Sequence, residues 1–226
     1  FVGICRNDTS HVDVEAATRH GVLVVNTPSR NAQAVAELSL GLMLSLARKI
    51  PDAHQYVTGG RWLDPVEPYL SMRGVELAGK VVGIIGLGAI GRRLSTICQA
   101  IGMECLAHDP YAEAVPEGVT SLGLDELLAG SDFVAIHAPL TSETNGLLDS
   151  RRLALMKPSS YLVNLSDSGI VVEEALVGAL RSGRIAGAAL DVFETHPIAP
   201  NSPLLSLANV ILTPHIGGAT KETFER

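Results

Sequence analysis

Aromatic residues are scarce, 4% of 226 residues, with a single tryptophan at Trp62. A core built by this chain must therefore be aliphatic, which is the composition of a buried parallel sheet covered by helices. Basic residues are outnumbered, 17 against 24 acidic ones, for a net charge of −7. Proteins that bind a phosphate backbone normally carry a basic surplus, so no nucleic-acid partner is expected. Cysteines are few and odd in number (Cys5, Cys98 and Cys105), and no two have C-x-x-C spacing. That argues against a disulfide framework and against a metal site, and it fits a reducing cytoplasm. Long hydrophobic runs are also lacking. The longest helical apolar stretch, Leu38 to Ala47, is far short of the roughly 20 residues needed to cross a bilayer, so no membrane association is expected. No signal peptide is expected, and because Phe1 is not an initiator methionine the chain is expected to start inside a longer product. No internal repeat or low-complexity tract stands out.

The chain does have an apolar content of 46%, enough for a sizeable core and too much for a disordered polymer. Val12 to His20 reads as a short helix broken by Gly21, then Val22 to Val25 as a strand with Asn26-Thr27-Pro28 as its exit turn. From Ala32 to Ile50 apolar residues lie nearly all round the helix. This predicts burial on every side, either beneath both halves of the molecule or against another subunit, with Pro51 as the stop. Residues 51 to 78 read as an arm or long connection around Trp62. A regular alternation follows. Strands are expected at Val81–Ile85, Glu104–His108, Phe133–His137, Tyr161–Leu165, Ala186–Leu190 and Val210–Leu212. Helices are expected at Ala89–Ile101, Leu124–Ala129, Arg151–Met156 and Val172–Arg181. Strand alternating with helix means an α/β doubly wound parallel sheet.

Gly86-Leu87-Gly88-Ala89-Ile90-Gly91 follows the strand VVGII and opens a helix. In a G-x-G-x-x-G turn the first glycine permits the tight turn. The second lets backbone amides approach a pyrophosphate, and the third lets helix and strand pack closely. The helix start offers unpaired N–H groups and a positive dipole end to the phosphates. Asp109 ends the next strand, where a carboxylate accepts both ribose hydroxyls and repels a 2′-phosphate. The cofactor expected is therefore NAD rather than NADP, held on a Rossmann domain.

Longer blocks surround this turn: VDVEAATRHGVLVVNTP, VAELSLGLMLSLARKIP, VELAGKVVGIIGLGAIGRR, SDFVAIHAPLTSETNGLLD, ALMKPSSYLVNLS, EEALVGALRSGRIAGAALDVFE and NVILTPHIGGAT. Together they resemble the D-isomer-specific 2-hydroxyacid dehydrogenases, the group that includes phosphoglycerate and glycerate dehydrogenases. The resemblance implies three parts. Residues 1–28 are a remnant of the substrate (lid) domain. Residues 29–215 are the NAD-binding domain with its dimerisation helix and arm. Residues 216–226 begin the return to the lid. It also implies a homodimer and a small-molecule substrate. By resemblance, His137, Ala138, Pro139 and the following Leu140 lie under the adenosine side of the cofactor, and Thr144 lies near the pyrophosphate. Leu165, Ser166, Gly217 and Gly218 belong to the loops along the cofactor. Asp191 holds the nicotinamide carboxamide, and His215 is the acid/base group that exchanges the hydroxyl proton.

Three positions depart from the family pattern. Where relatives carry an arginine that clamps the substrate carboxylate and polarises its carbonyl, this chain has Asp167. Where relatives carry the glutamate that orients the catalytic imidazole, it has His196, and Glu194 lies two residues away. In place of an N-terminal Gly-rich loop it has Cys5-Arg6-Asn7-Asp8-Thr9-Ser10, in which Arg6 is the candidate for a substitute carboxylate contact. A substrate carboxylate beside Asp167 meets repulsion on the order of several kcal/mol in a partly dry site. Two functions follow. One is an NAD-dependent oxidoreductase acting on a 2-hydroxy or 2-oxo compound, weak on simple acids or altered in substrate, with Asp167 or His196 partnering His215. The other is a catalytically impaired NAD(H)-binding sensor or scaffold.

Overall fold

The computed structural model describes residues 1–4 and 12–225. The expected loop contact from Arg6, and Cys5 beside it, lie outside the described residues.

Near the N-terminus β1 (Val2–Ile4) pairs in parallel with β2 (Val24–Asn26), and α1 (Val14–Arg19) connects them, capped by the Asp13 carboxylate. The strand β2 includes Asn26, which the sequence reading had assigned to the exit turn. Then comes α2 (Ala32–Arg48). Its end differs from expectation: Lys49 takes the left-handed conformation at φ 52° and stops the helix. Pro51 instead sits in the first turn of α3 (Ile50–Thr58), where its missing N–H has no helical partner to lose. The expected arm therefore carries two short helices, α3 and α4 (Glu67–Ser71).

The main sheet has seven strands, all parallel. They are β3 (Val81–Ile85), β4 (Glu104–His108), β5 (Val119–Ser121), β6 (Phe133–Ile136), β7 (Tyr161–Asn164), β8 (Gly187–Leu190) and β9 (Val210–Leu212), in the order β5-β4-β3-β6-β7-β8-β9. Connecting helices are α5 (Ala89–Ala100), α6 (Leu124–Gly130), α7 (Ser150–Leu153) and α8 (Glu173–Arg181), and α9 (Lys221–Glu225) follows the sheet. The doubly wound expectation holds. The sequence reading missed β1 and β5, and several expected ends shift by a few residues. Most notably, α7 ends at Leu153 rather than Met156.

Alternation along the strands feeds two cores. Phe133 and Ala135 face one that α2 and α5 close, with Met43, Leu94 and Cys98. Val134 and Ile136 face the other, which α6, α7 and α8 close with Leu127, Leu153 and Leu176. With helices on both sides, β6 and β8 are buried along their whole lengths. The helix α2 is not buried on every side. Glu37, Gly41, Leu44 and Arg48 form an exposed stripe. Chain order reverses direction between β3 and β6. Ligands of open α/β sheets bind at such a switch point, outside the carboxyl ends of the strands.

Candidate active site

The glycine turn stands at that point. Gly86 has φ +97°, and a Cβ there would lie 2.6 Å from the amide nitrogen of Ala138. A Cβ on Gly91 would meet the Gly86 carbonyl oxygen at 2.0 Å. Around Gly88 there is open space. Steric necessity thus explains the first and third glycines, while the second keeps a hollow clear. The helix α5 starts at Gly88 without a side-chain cap, and its first helical bond runs from Arg92 N to Gly88 O at 3.0 Å. The amides of Ala89, Ile90 and Gly91 are left to a ligand.

Asp109 follows β4. Its Oδ2 accepts from Leu87 N at 2.7 Å and its Oδ1 from Tyr111 N at 2.9 Å, so the carboxylate is fixed against the turn before any ligand arrives. A cavity of about 440 Å³ opens here, and Gly86, Gly88, Asp109, Tyr111, Ala138 and Thr144 are among its lining residues. Ordered turn, open hollow, uncapped helix start and fixed carboxylate together fit a dinucleotide.

The loop after β6 forms the other wall. His137 is buried, with its Nε2 3.4 Å from the Ser39 hydroxyl of α2, and burial pushes its pKa down to about 4. Ser39 already donates to Val35 O at 2.8 Å, so in that contact His137 Nε2–H is the donor. His137 Nδ1 then carries a buried lone pair with no partner among the described residues. Thr144 fastens its own loop: its hydroxyl donates to Pro139 O at 2.6 Å and accepts from Thr141 N at 2.8 Å. After β7, Leu165 is buried and the Ser166 hydroxyl donates to Ala138 O, joining two neighbouring loops.

Asp191, 1% exposed at the end of β8, organises the next segment. It accepts from Thr213 Oγ1 at 2.5 Å, Ile216 N at 2.9 Å and Gly217 N at 2.8 Å. Three donors around one buried carboxylate hold the loop that bears His215. A Cβ on Gly217 would come within 3.1 Å of Asp191 Oδ2, and one on Gly218 within 3.2 Å of Asn31 Nδ2, so the loop lies tight against its supports. His215 itself has φ 56°, a conformation uncommon for a side chain of this size.

Two of the three departures lie within the described residues, and they resolve differently. His215 Nδ1 lies 3.2 Å from His196 Nε2, and the ring centroids are 5.1 Å apart. The residue at the family's glutamate position thus meets the imidazole, as a second imidazole. Asp167 does not join them. Its carboxylate accepts from Gly169 N at 3.0 Å, capping the short turn Ser168–Ile170. Glu194 is near Glu173 instead, whose carboxyl pKa is raised first by burial and then by the Glu194 charge. Two lining residues that the sequence reading missed, Tyr111 and Glu143, hydrogen-bond to each other through phenol and carboxylate. Neither belongs to a motif with a known spacing, so only the fold brings them together.

Comparison with known proteins identifies the domain. The family model "D-isomer specific 2-hydroxyacid dehydrogenase, NAD binding domain" matches residues 40–217. A D-3-phosphoglycerate dehydrogenase of Archaeoglobus fulgidus is 42% identical over 225 residues, which cover 98% of this chain and 42% of that protein. A glyoxylate reductase of Thermofilum pendens is 42% identical over 220 residues, 96% of this chain and 65% of that one. Among solved structures, an acyclic imino acid reductase in complex with NADPH and D-Arg superposes with a TM-score of 0.88 at 28% identity, covering 99% of this chain and 71% of that one. The chain spans about two-fifths of the length of the phosphoglycerate dehydrogenases it matches. Over that span it belongs to the D-isomer-specific 2-hydroxyacid dehydrogenase family and carries that family's NAD-binding domain.

Proposed function

We propose that this chain is the cofactor-binding part of an NAD(H)-dependent oxidoreductase that moves a hydride between nicotinamide and a 2-hydroxy or 2-oxo compound. The observation that carries the reading is the Asp191 anchor, which fixes the His215 loop to the same sheet edge that presents the Gly86–Gly91 turn. The nicotinamide supplies the hydride acceptor or donor. Gly88, Ala89, Ile90 and Gly91 bind the pyrophosphate through their amides, and Asp109 takes the ribose hydroxyls. Asp109 also sets a preference for NAD over NADP.

His215 accepts the substrate hydroxyl proton in oxidation and returns it in reduction. For His215 Nε2 to exchange the proton, its Nδ1 must carry the hydrogen and donate it to His196 Nε2, 3.2 Å away. His196 fixes the tautomer, as a glutamate would, but without a negative charge. Asp167 stands where a carboxylate clamp is expected and presents the wrong sign for an acid. Simple D-2-hydroxy acids are therefore turned over weakly, and uncharged or cationic carbonyl compounds are the better substrates. A second reading, a protein that binds NAD(H) without turnover, is favoured by the same Asp167.

Further parts of the proposal concern the whole protein. Residues 1–28 are a remnant of the lid, residues 29–215 form the cofactor unit, and residues 216–226 begin the return to the lid. The protein works as a homodimer in the cytoplasm. Cys98 and Cys105 suit a reducing compartment: both are free, and burial pushes their thiols up to about 12 and about 11. No described helix is long and apolar enough to cross a membrane.

The test is a panel of carbonyl compounds with NADH and the full-length protein, beside Asp167→Arg and His215→Ala. Turnover of uncharged or cationic carbonyls, abolished by His215→Ala, is expected. Asp167→Arg should raise activity on 2-oxo acids by about 10²–10³, the size of one well-placed electrostatic stabiliser. Robust wild-type turnover of D-lactate, D-glycerate or D-3-phosphoglycerate overturns the argument from charge. Tight NADH binding with no turnover on any carbonyl establishes the second reading.

A further inference from the structure

The strands β4 and β6 are both neighbours of β3, so their exit loops stand on either side of the glycine turn. Two strand spacings separate them, roughly 10 Å. Tyr111, two residues past Asp109, reaches across this gap, and its hydroxyl donates to the Glu143 carboxylate on the β6 side. The phenol's pKa is raised by that hydrogen bond and by the Glu143 charge. Each end of the bridge is secured locally. Tyr111 N donates to Asp109 Oδ1 at 2.9 Å, and Glu143 N donates to the Thr141 hydroxyl at 3.2 Å. The cavity beneath is lined by two carboxylates, Asp109 and Glu143, and by no lysine or arginine among the described residues. Arg92, the first arginine of α5, is turned elsewhere: its Nη2 donates to Ala114 O at 2.6 Å. Among the described lining residues no side-chain cation compensates an added phosphate.

We propose that Glu143, held by Tyr111 across the mouth of the cavity, is a second cofactor-specificity residue that acts with Asp109 against a 2′-phosphorylated dinucleotide. The inference rests on the nucleotide reading given above and adds to it. Asp109 acts at short range through the ribose hydroxyls. Glu143 acts at longer range from the opposite lip, through charge alone. Its effect is therefore smaller and falls with ionic strength, whereas a hydrogen-bond effect would survive salt.

The experiment measures NADH and NADPH affinities of the full-length protein by fluorescence titration, at low salt and at about 1 M salt, where the Debye length is near 3 Å. Glu143→Gln keeps an acceptor for Tyr111 and removes the charge, and the residue is exposed, so folding is not at stake. The expected result at low salt is NADPH binding tighter by about fivefold, from one charge removed at several ångströms in a partly screened site. NADH should stay within about twofold, and the gain should shrink at high salt. Asp109→Asn should weaken the preference without abolishing it, and the double variant should lose most of what remains. An unchanged NADPH-to-NADH ratio in Glu143→Gln, with wild-type NADH binding intact, overturns this inference and leaves the nucleotide reading standing. A wild type that binds neither cofactor overturns both.

Discussion

His137 shows how one side chain records its surroundings. Buried at the end of β6, it holds a neutral ring, and burial pushes its pKa to about 4 from 6.5. Between those values the unfolded chain binds a proton there that the folded chain refuses. Stability therefore rises with pH across this window: it is fully present above about 6.5 and is lost progressively as pH falls toward 4. The shift corresponds to an upper bound of about 3 kcal/mol. Denaturant unfolding at pH 7, 5.5 and 4 should show this slope in the wild type and a flatter one in His137→Leu. Equal slopes in both would mean that the ring reaches water. Asp191 is also buried, and three donors surround its carboxylate. Replacing it with alanine removes charge-assisted bonds worth roughly 1.5–3 kcal/mol each. Limited proteolysis near His215 should therefore accelerate in Asp191→Ala.

At the scale of elements, legibility in the sequence followed from whether a constraint was local. The strand VVGII, the glycine turn and α5 were readable because apolar runs, glycines and helix start sit side by side in sequence. The strand β5 was not, because Val-Thr-Ser is short, its last two residues are exposed, and only pairing with β4 defines it. The stop at Lys49 was misassigned to Pro51 because a left-handed lysine has no sequence signal, whereas a proline has a familiar one. In the site, the residue at each departing position was legible, but its partner was not. Sequence left Asp167 and His196 as equal candidates to meet His215, and the fold chose His196. The turn itself yields a paired prediction. A Cβ on Gly91 has no room, so Gly91→Ala must push α5 from β3, costing about 1–3 kcal/mol and weakening NADH binding. Gly88 has φ −68° and open space, so Gly88→Ala should unfold like the wild type yet bind NADH more weakly, its methyl filling the hollow. Thermal melts and titrations of the two variants separate a structural glycine from a ligand-facing one. A destabilised Gly88→Ala would remove the distinction.

For the whole molecule, the exposed surface raises the question of what covers it. Leu44 is 37% exposed on α2, and Trp62, Leu63, Val66, Tyr69 and Leu70 of the adjoining arm are 56%, 90%, 57%, 78% and 53% exposed. Scattered surface leucines are ordinary. A tryptophan, a tyrosine and four aliphatic side chains gathered on a helix and the arm that follows it make the kind of patch that marks an interface. A second copy is the simplest cover, since a two-fold contact places the same patch on both sides and closes on itself. The exposed stripe Glu37, Gly41, Leu44 and Arg48 runs the length of α2, and Gly41, with nothing within 4 Å of its Cβ position, permits close approach of another backbone. Light scattering of the full-length protein at micromolar concentration should therefore give a dimer. Leu44→Arg should shift it to monomer while leaving NADH binding in place, because Leu44 lines no part of the nucleotide cavity. A monomeric wild type would show that the patch is covered by some other part of the full protein, and an unshifted Leu44→Arg would move the interface off α2.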